Sequence, residues 1–153
     1  MRYMLDTNVV SALMREVACS GYSTSWRAIN ALKRDEVGLS VLVHNEVLFG
    51  LAKCPSPRRA RQYQWVRRLI PVLPLTEDDH LPQHYARLRT LLESQGQRLE
   101  TMDLLIAAHA LSRDATLVSR DHGFARVPGL KLESWQHPRL TSVCEPTPGW
   151  RVR

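Results

Sequence analysis

Four carboxylates stand out by position rather than by number: Asp6, Glu46, Asp103 and Asp121. Asp6 lies between Tyr3-Met4-Leu5 and Val9-Val10, and Glu46 follows the apolar run Val37 to Val41. Asp103 precedes Leu104-Leu105-Ile106, and Asp121 follows Leu117-Val118. Each acid is set beside core-forming residues, not on a charged face. A carboxylate in such surroundings is costly without a cation or hydrogen-bond donors. A shared divalent metal would neutralise all four, and an all-oxygen set suits hard Mg²⁺ or Mn²⁺. Mg²⁺ keeps several waters, one of which can become a nucleophile, and its charge stabilises charge growing on a phosphate.

Each acid also has a purely structural explanation. Asp6 could cap the helix after it. Asp103 could complement its helix dipole, Asp121 could be a turn residue before Gly123, and Glu46 could be a solvated helix residue. Their joint placement at strand ends and helix starts favours a shared site. Asn8 and Ser119 sit beside two of the acids, where they could hold water, substrate or the ligand carboxylates or serve as caps. Thr7 is a weaker candidate for the same work.

Other chemistry-bearing residues fall away. His109 is six positions beyond Asp103 on the same expected helix and so off its face. His122 adjoins Asp121 and reads as an exposed loop histidine. No HxxxH or HExxH spacing occurs, which argues against zinc hydrolysis. Cys19, Cys54 and Cys144 are odd in number and form no CxxC pair. They read as reduced, partly buried thiols. Arg58, Arg59, Arg61, Arg67 and Arg68 share one basic helix, expected to be a solvated surface, although RNA backbone contact is the alternative. Trp26, Trp65 and Trp135 are expected in core or dimer packing.

The elements that must position the acids follow from the apolar pattern. Arg2 to Leu5, Val37 to Val41, Val72-Leu73, Ala115 to Val118 and Leu130 to Leu132 read as strands. Helices are expected over Val9 to Arg15, Trp26 to Lys33, His44 to Lys53, Arg58 to Ile70, Glu77 to Gln95 (stopped by Gly96) and Met102 to Ser112. Alternating strands and helices imply a mostly parallel sheet covered by helices. Such sheets bind ligands outside the carboxyl ends of their strands. Asp6 and Asp121 each fall just past a strand.

Composition sets the bounds. The 153 residues fit one domain, with 44% hydrophobic and 24% charged residues, as in an ordinary globular protein. No stretch approaches the roughly 20 apolar residues of a membrane span. Asp6 interrupts the start where a signal peptide would be apolar, so a cytoplasmic protein is expected, with no membrane partner. The net charge of +6 favours polyanions.

Four blocks of the chain resemble the PIN-domain family, especially the VapC toxin ribonucleases of bacterial toxin–antitoxin pairs. Met4 to Leu13 resembles the family's opening, and Leu39 to Gly50 its second block with Glu46 as second acid. Met102 to Leu111 and Ala115 to Phe124 resemble the third and fourth, and Val127 to Leu132 the closing strand. The resemblance runs from about Tyr3 to Trp135, giving a PIN domain over residues 1–135 and a C-terminal tail over 136–153. It implies a three-layer α/β/α sandwich and endonucleolytic cleavage of RNA dependent on Mg²⁺ or Mn²⁺. It also implies a homodimer that forms a hetero-oligomer with a cognate antitoxin. Asp6, Glu46, Asp103 and Asp121 would be the catalytic, metal-holding residues.

The chain departs from that pattern at Glu100, where relatives often have glycine. This adds a charge near the site, and the tail is longer than the pattern expects. Two rival readings exist. A haloacid-dehalogenase-like phosphatase also starts with an Asp after a strand, but needs a second acid where this chain has Asn8. A catalytically inactive PIN-like module that binds RNA or protein would lack one of the acids, and none is missing. The RNA target is not legible from these residues.

Overall fold

The computed structural model describes residues 1–16 and 24–135. Five strands, β1 (Tyr3–Leu5), β2 (Val37–Ser40), β3 (Val72–Leu73), β4 (Thr116–Val118) and β5 (Leu132–Glu133), form one sheet in the order β3-β2-β1-β4-β5. Every neighbouring pair is parallel, with Leu5 opposite both Leu39 and Val118. Six described helices cover it: α1 (Thr7–Glu16), α2 (Thr24–Asn30), α3 (Val41–Lys53), α4 (Pro57–Leu69), α5 (Leu81–Ser94) and α6 (Thr101–Ser112). The result is the expected three-layer α/β/α sandwich. No described helix is long and apolar enough to cross a membrane.

The burial pattern explains the strand sequences. β1 and β2 are buried along their whole length, whereas β3 and β5 are half-buried or exposed two-residue edges. Parallel strands covered on both faces need continuous apolar runs, and Tyr3-Met4-Leu5 supplies one. Helix α1 packs on α2, α3 and α4, while α5 packs along α6. The expected face of α4 is correct: Tyr63, Val66 and, just past its end, Ile70 are buried. Arg58, Arg59, Arg61 and Arg68 are exposed and Arg67 is half-buried. Trp26 packs edge-on against Trp65 at 4.6 Å between ring centroids, and Trp135 against Tyr3 at 5.3 Å.

Several boundaries differ from the sequence reading. β2 stops at Ser40, whose hydroxyl accepts the Leu42 N–H at 3.1 Å. Capping starts α3 at Val41 rather than His44. The expected helix Glu77 to Gln95 is two pieces. Glu77–Asp79 is a 3₁₀ turn, His80 is left-handed at φ 46°, and α5 starts at Leu81 with a proline in its first turn. Gly96, at φ 66°, ends α5 as expected, and Gln97 N–H reaches Leu92 O at 2.8 Å. α2 runs Thr24–Asn30 instead of Trp26 to Lys33, because the Leu32 N–H turns back to Ile29 O at 3.0 Å. The closing strand is Leu132–Glu133, since Gly129 at φ 77° still belongs to the preceding turn. Cys54 is a free, exposed thiol rather than a partly buried one, because it lies on the loop after α3. Cys19, Cys144 and the 136–153 tail lie outside the described residues.

A buried polar network sets where α6 lies. His109 is fully buried, and its Nδ1 is 2.8 Å from Ser40 Oγ. Its Nε2 faces Asp79 Oδ2 at 3.8 Å. Burial lowers the His109 pKa, with Arg113 acting in the same direction and Asp79 against it. Asp79 is itself gripped by Arg113, with Nε 2.6 Å from Oδ1 and Nη2 donating to Oδ2 at 3.0 Å. The Thr76 N–H adds a bond at 2.7 Å. The network ties α6 to the end of β2 and to the turn before α5.

Candidate active site

The strand order reverses between β1 and β4. From β1 the chain winds outward through β2 and β3, then returns to lay β4 on the opposite side of β1. Helices leave the two strands in opposite directions at such a switch point, opening a crevice at the carboxyl ends. Asp6 and Ser119, the first residues past β1 and β4, are both buried there. The Asp6 N–H donates to Val118 O at 3.0 Å, carrying the ladder one step further.

Both carboxylate oxygens of Asp6 are held. Oδ1 accepts the Thr7 N–H at 2.7 Å, and Oδ2 accepts the Ser119 hydroxyl at 2.7 Å. Ser119 Oγ also accepts the Asp121 N–H at 3.0 Å and the Asn8 amide at 3.2 Å. Asn8 Oδ1 in turn accepts the Arg120 N–H at 3.2 Å. With one bond donated and two accepted, the Ser119 hydroxyl is saturated, which fixes its direction. Asn8 and Ser119 thus clamp the loop after β4 against the start of α1. Asp6 does not bond the second or third helical N–H as a usual N-cap would. Its side chain is oriented by Thr7 and Ser119 instead.

The other acids come from separate elements. Glu46 lies in α3, and its Oε2 accepts the Thr7 hydroxyl. Thr7, the weaker candidate in the sequence, is therefore the link between α1 and Glu46. Asp103 stands in the first turn of α6, half-buried. Asp121 is exposed and begins the 3₁₀ turn His122–Arg126, where Oδ1 accepts the Gly123 N–H at 2.7 Å. The turn role expected for Asp121 is thus present alongside its place at the crevice. His122 is exposed, as expected.

Electrostatics joins the four. Asp103 is pushed up to about 6, first by burial and then by the charges of Asp6, Asp121, Glu46 and Glu100. Asp6 is also raised, mainly by burial and further by Glu46 and Asp121, against the opposing bonds from Ser119 and Thr7. Every charge acting on Asp103 is negative, including that of Glu100, the residue at which the chain departs from the family pattern. The side chains share a field without closing on one point. Among the described residues, no three acidic, imidazole or thiol groups are arranged to clasp a metal ion. Glu46 is turned to Thr7 and Asp121 to Gly123.

The residues overlooked in the sequence are Asp79, Arg113 and Ser40. The one available signal was His109, an imidazole inside the apolar run of α6 that had to find buried partners.

Fold and site together define an α/β/α protein with an acidic centre at the switch point of a parallel sheet. The chain belongs to the PIN-domain family, whose profile matches residues 3–130. It is 31% identical over 138 residues to Ribonuclease VapC2 of Rickettsia felis, an alignment covering 88% of this chain and 98% of that protein. To Ribonuclease VapC1 of Haemophilus influenzae (strain R2866) it is 28% identical over 141 residues, covering 88% and 98%. Among solved structures, VapBC2 from Rickettsia felis, bound to a DNA fragment from its promoter, superposes with a TM-score of 0.78 at 26% identity, covering 89% of this chain and 100% of that one. VapBC-1 from nontypeable Haemophilus influenzae gives 0.73 at 27% identity, covering 88% and 98%.

Proposed function

We propose that this chain is the toxin of a toxin–antitoxin pair, an endoribonuclease that hydrolyses RNA phosphodiesters with a divalent cation at the acidic centre. The observation that carries this reading is the placement of Asp6, Glu46, Asp103 and Asp121 around the switch point of a PIN fold, where the charges of Glu46 and Asp121 act on both Asp6 and Asp103. The kinship with VapC ribonucleases supplies the reaction class and the nucleic acid.

The donors fit Mg²⁺ or Mn²⁺. They are carboxylates and hydroxyls, hard oxygen ligands with no thiol or imidazole among them. A centre whose carboxylate is held near pKa 6 by burial and by other carboxylates gains from a positive charge. Asp6 and Asp103 are assigned as the residues that hold the cation, with Glu46 and Asp121 completing the set. When bound, the cation stabilises charge at the phosphate and lowers the pKa of water. The chain's own residues do the rest. Ser119 and the Thr7 N–H orient Asp6, and Thr7 steers Glu46. Asn8 keeps the β4 loop against α1. The network of Asp79, Arg113, His109 and Ser40 fixes the helix that presents Asp103.

The partners follow from the same reading: an RNA substrate, a cognate antitoxin, and a homodimer that enters a hetero-oligomer with it. The test is cleavage of labelled RNA by the purified chain. Mg²⁺ or Mn²⁺ should permit cleavage and a chelator should stop it. Asp6→Asn should lose about 100-fold or more of the rate while keeping its circular dichroism spectrum. In cells, expression without antitoxin should arrest growth, and Asp6→Asn should relieve the arrest. Folded, metal-supplied wild type that leaves RNA intact would contradict the enzyme and favour a binding module.

A further inference from the structure

A site made of carboxylates repels the polyanion it cuts, and Glu100 adds one more negative charge. Cationic surface beside the acids must hold the RNA in place. A small cleft of about 120 Å³ lies between α5 and the start of α6, lined in part by Tyr85, Arg89, Glu93, Arg98, Leu99 and Thr101. Thr101 opens the helix that carries Asp103.

The cleft shares a wall with the turn of Asp121. Arg126 donates from Nε to Gly123 O at 3.2 Å and from Nη1 to Arg98 O at 3.4 Å. A methyl group placed on Gly123 would stand 3.0 Å from Asp121 Oδ1, 3.1 Å from Arg126 Nη2 and 3.3 Å from Leu99 Cδ2. The cleft wall at Arg98-Leu99, the Arg126 guanidinium and the Asp121 carboxylate are therefore packed around one glycine.

The charges in the cleft are unequal. Arg89 is already occupied, bonded to Glu93 at 3.0 Å and to the Tyr85 hydroxyl at 2.7 Å. The Arg98 guanidinium has no hydrogen bond or ion pair among the described residues. The bonds of Arg126 end on backbone carbonyls, and its guanidinium stands across Gly123 from the Asp121 carboxylate. Neither guanidinium makes a salt bridge among the described residues, and guanidinium geometry matches phosphate oxygens.

We infer that the surface joining this cleft to the Asp121 turn seats the backbone of single-stranded RNA next to the scissile bond, with Arg98 and Arg126 on flanking phosphates. The inference rests on the ribonuclease reading and adds where the substrate lies. The exposed arginines of α4 are the competing seat.

The test measures affinity for a single-stranded oligoribonucleotide across salt concentrations, in full-length protein made cleavage-dead by Asp6→Asn. Arg98→Ala is the decisive change, because that side chain has no intramolecular bond to lose. Each lost phosphate contact should flatten the slope of log K against log salt by about 0.7. Arg98→Ala should weaken binding about fivefold at low salt, and adding Arg126→Ala should flatten the slope by a second step of similar size. In the active protein, Arg98→Ala should raise KM with kcat near wild type, as expected for a contact equal in ground and transition states. Arg58→Ala with Arg61→Ala on α4 should leave the slope unchanged. An unchanged slope and KM in Arg98→Ala, or a flattened slope only in the α4 variant, overturns the cleft while wild-type cleavage keeps the ribonuclease reading. Absence of wild-type cleavage removes both.

Discussion

Two aspartates show how differently this chain treats a carboxylate. Asp79 is 4% exposed, and the protein neutralises it internally with the Arg113 guanidinium at 2.6 Å and the Thr76 N–H at 2.7 Å. Burial pushes its pKa up, but the Thr76 and Arg113 bonds outweigh burial and hold it below the usual value. Asp103 is more exposed, yet it is pushed up to about 6, first by burial and then by the acids around it. One carboxylate is finished by the fold. The other is left with its repulsion unrelieved, which is what a site awaiting an external cation requires.

The contrast should first appear in stability. Asp79→Ala strands the half-buried Arg113 guanidinium and the Thr76 N–H, and breaking such a pair should cost about 3 kcal/mol or more by denaturant titration. A cost near zero would mean that Asp79 is no more anchored than Asp103. Ser40→Ala removes both the cap of α3 and the partner of His109, and should cost about 1–2 kcal/mol. Asp103→Asn should act in the opposite direction. It removes a charge disfavoured by burial and by its acidic neighbours, so the metal-free protein at pH 7 should gain about 1 kcal/mol, less than the full shift implies because the site is open to solvent.

The pH dependences are opposite too. The folded pKa of Asp103 lies above its unfolded value, so the native state holds more protons in that window. Its contribution to stability is greatest below about pH 4 and falls as pH rises through about 6. The folded pKa of Asp79 is depressed, so its contribution is present above the unfolded value and is lost as pH falls through the folded one. Metal-free unfolding curves of wild type and Asp103→Asn should therefore diverge as pH rises from 4 to 7. Parallel curves would place Asp103 outside the shared field.

The acidic centre was legible because its residues break apolar runs at places where a parallel sheet opens its crevice. Asp6 after Tyr3-Met4-Leu5 and Asp121 after Leu117-Val118 needed only the strand pattern and the switch-point rule. Asp79 was hidden for the converse reason. In Glu77-Asp78-Asp79 it looks like one of three acids in the first turn of a long helix. The left-handed His80 and Arg113, 34 residues away, turn it inward. Helix starts were misread where capping decided them, as at Ser40. The side-chain directions of Glu46 and Asp121 depend on Thr7 and Gly123, contacts that residue types alone do not specify.

The most direct test of the central claim is thermal unfolding with and without millimolar Mg²⁺ at pH 7, in wild type and Asp103→Asn. A cation that binds only the native acidic centre should raise the wild-type Tm by about 4 °C at ten times its Kd. In Asp103→Asn the shift should shrink to a small fraction of that. Equal shifts in the two proteins would contradict the assignment of these carboxylates to a metal.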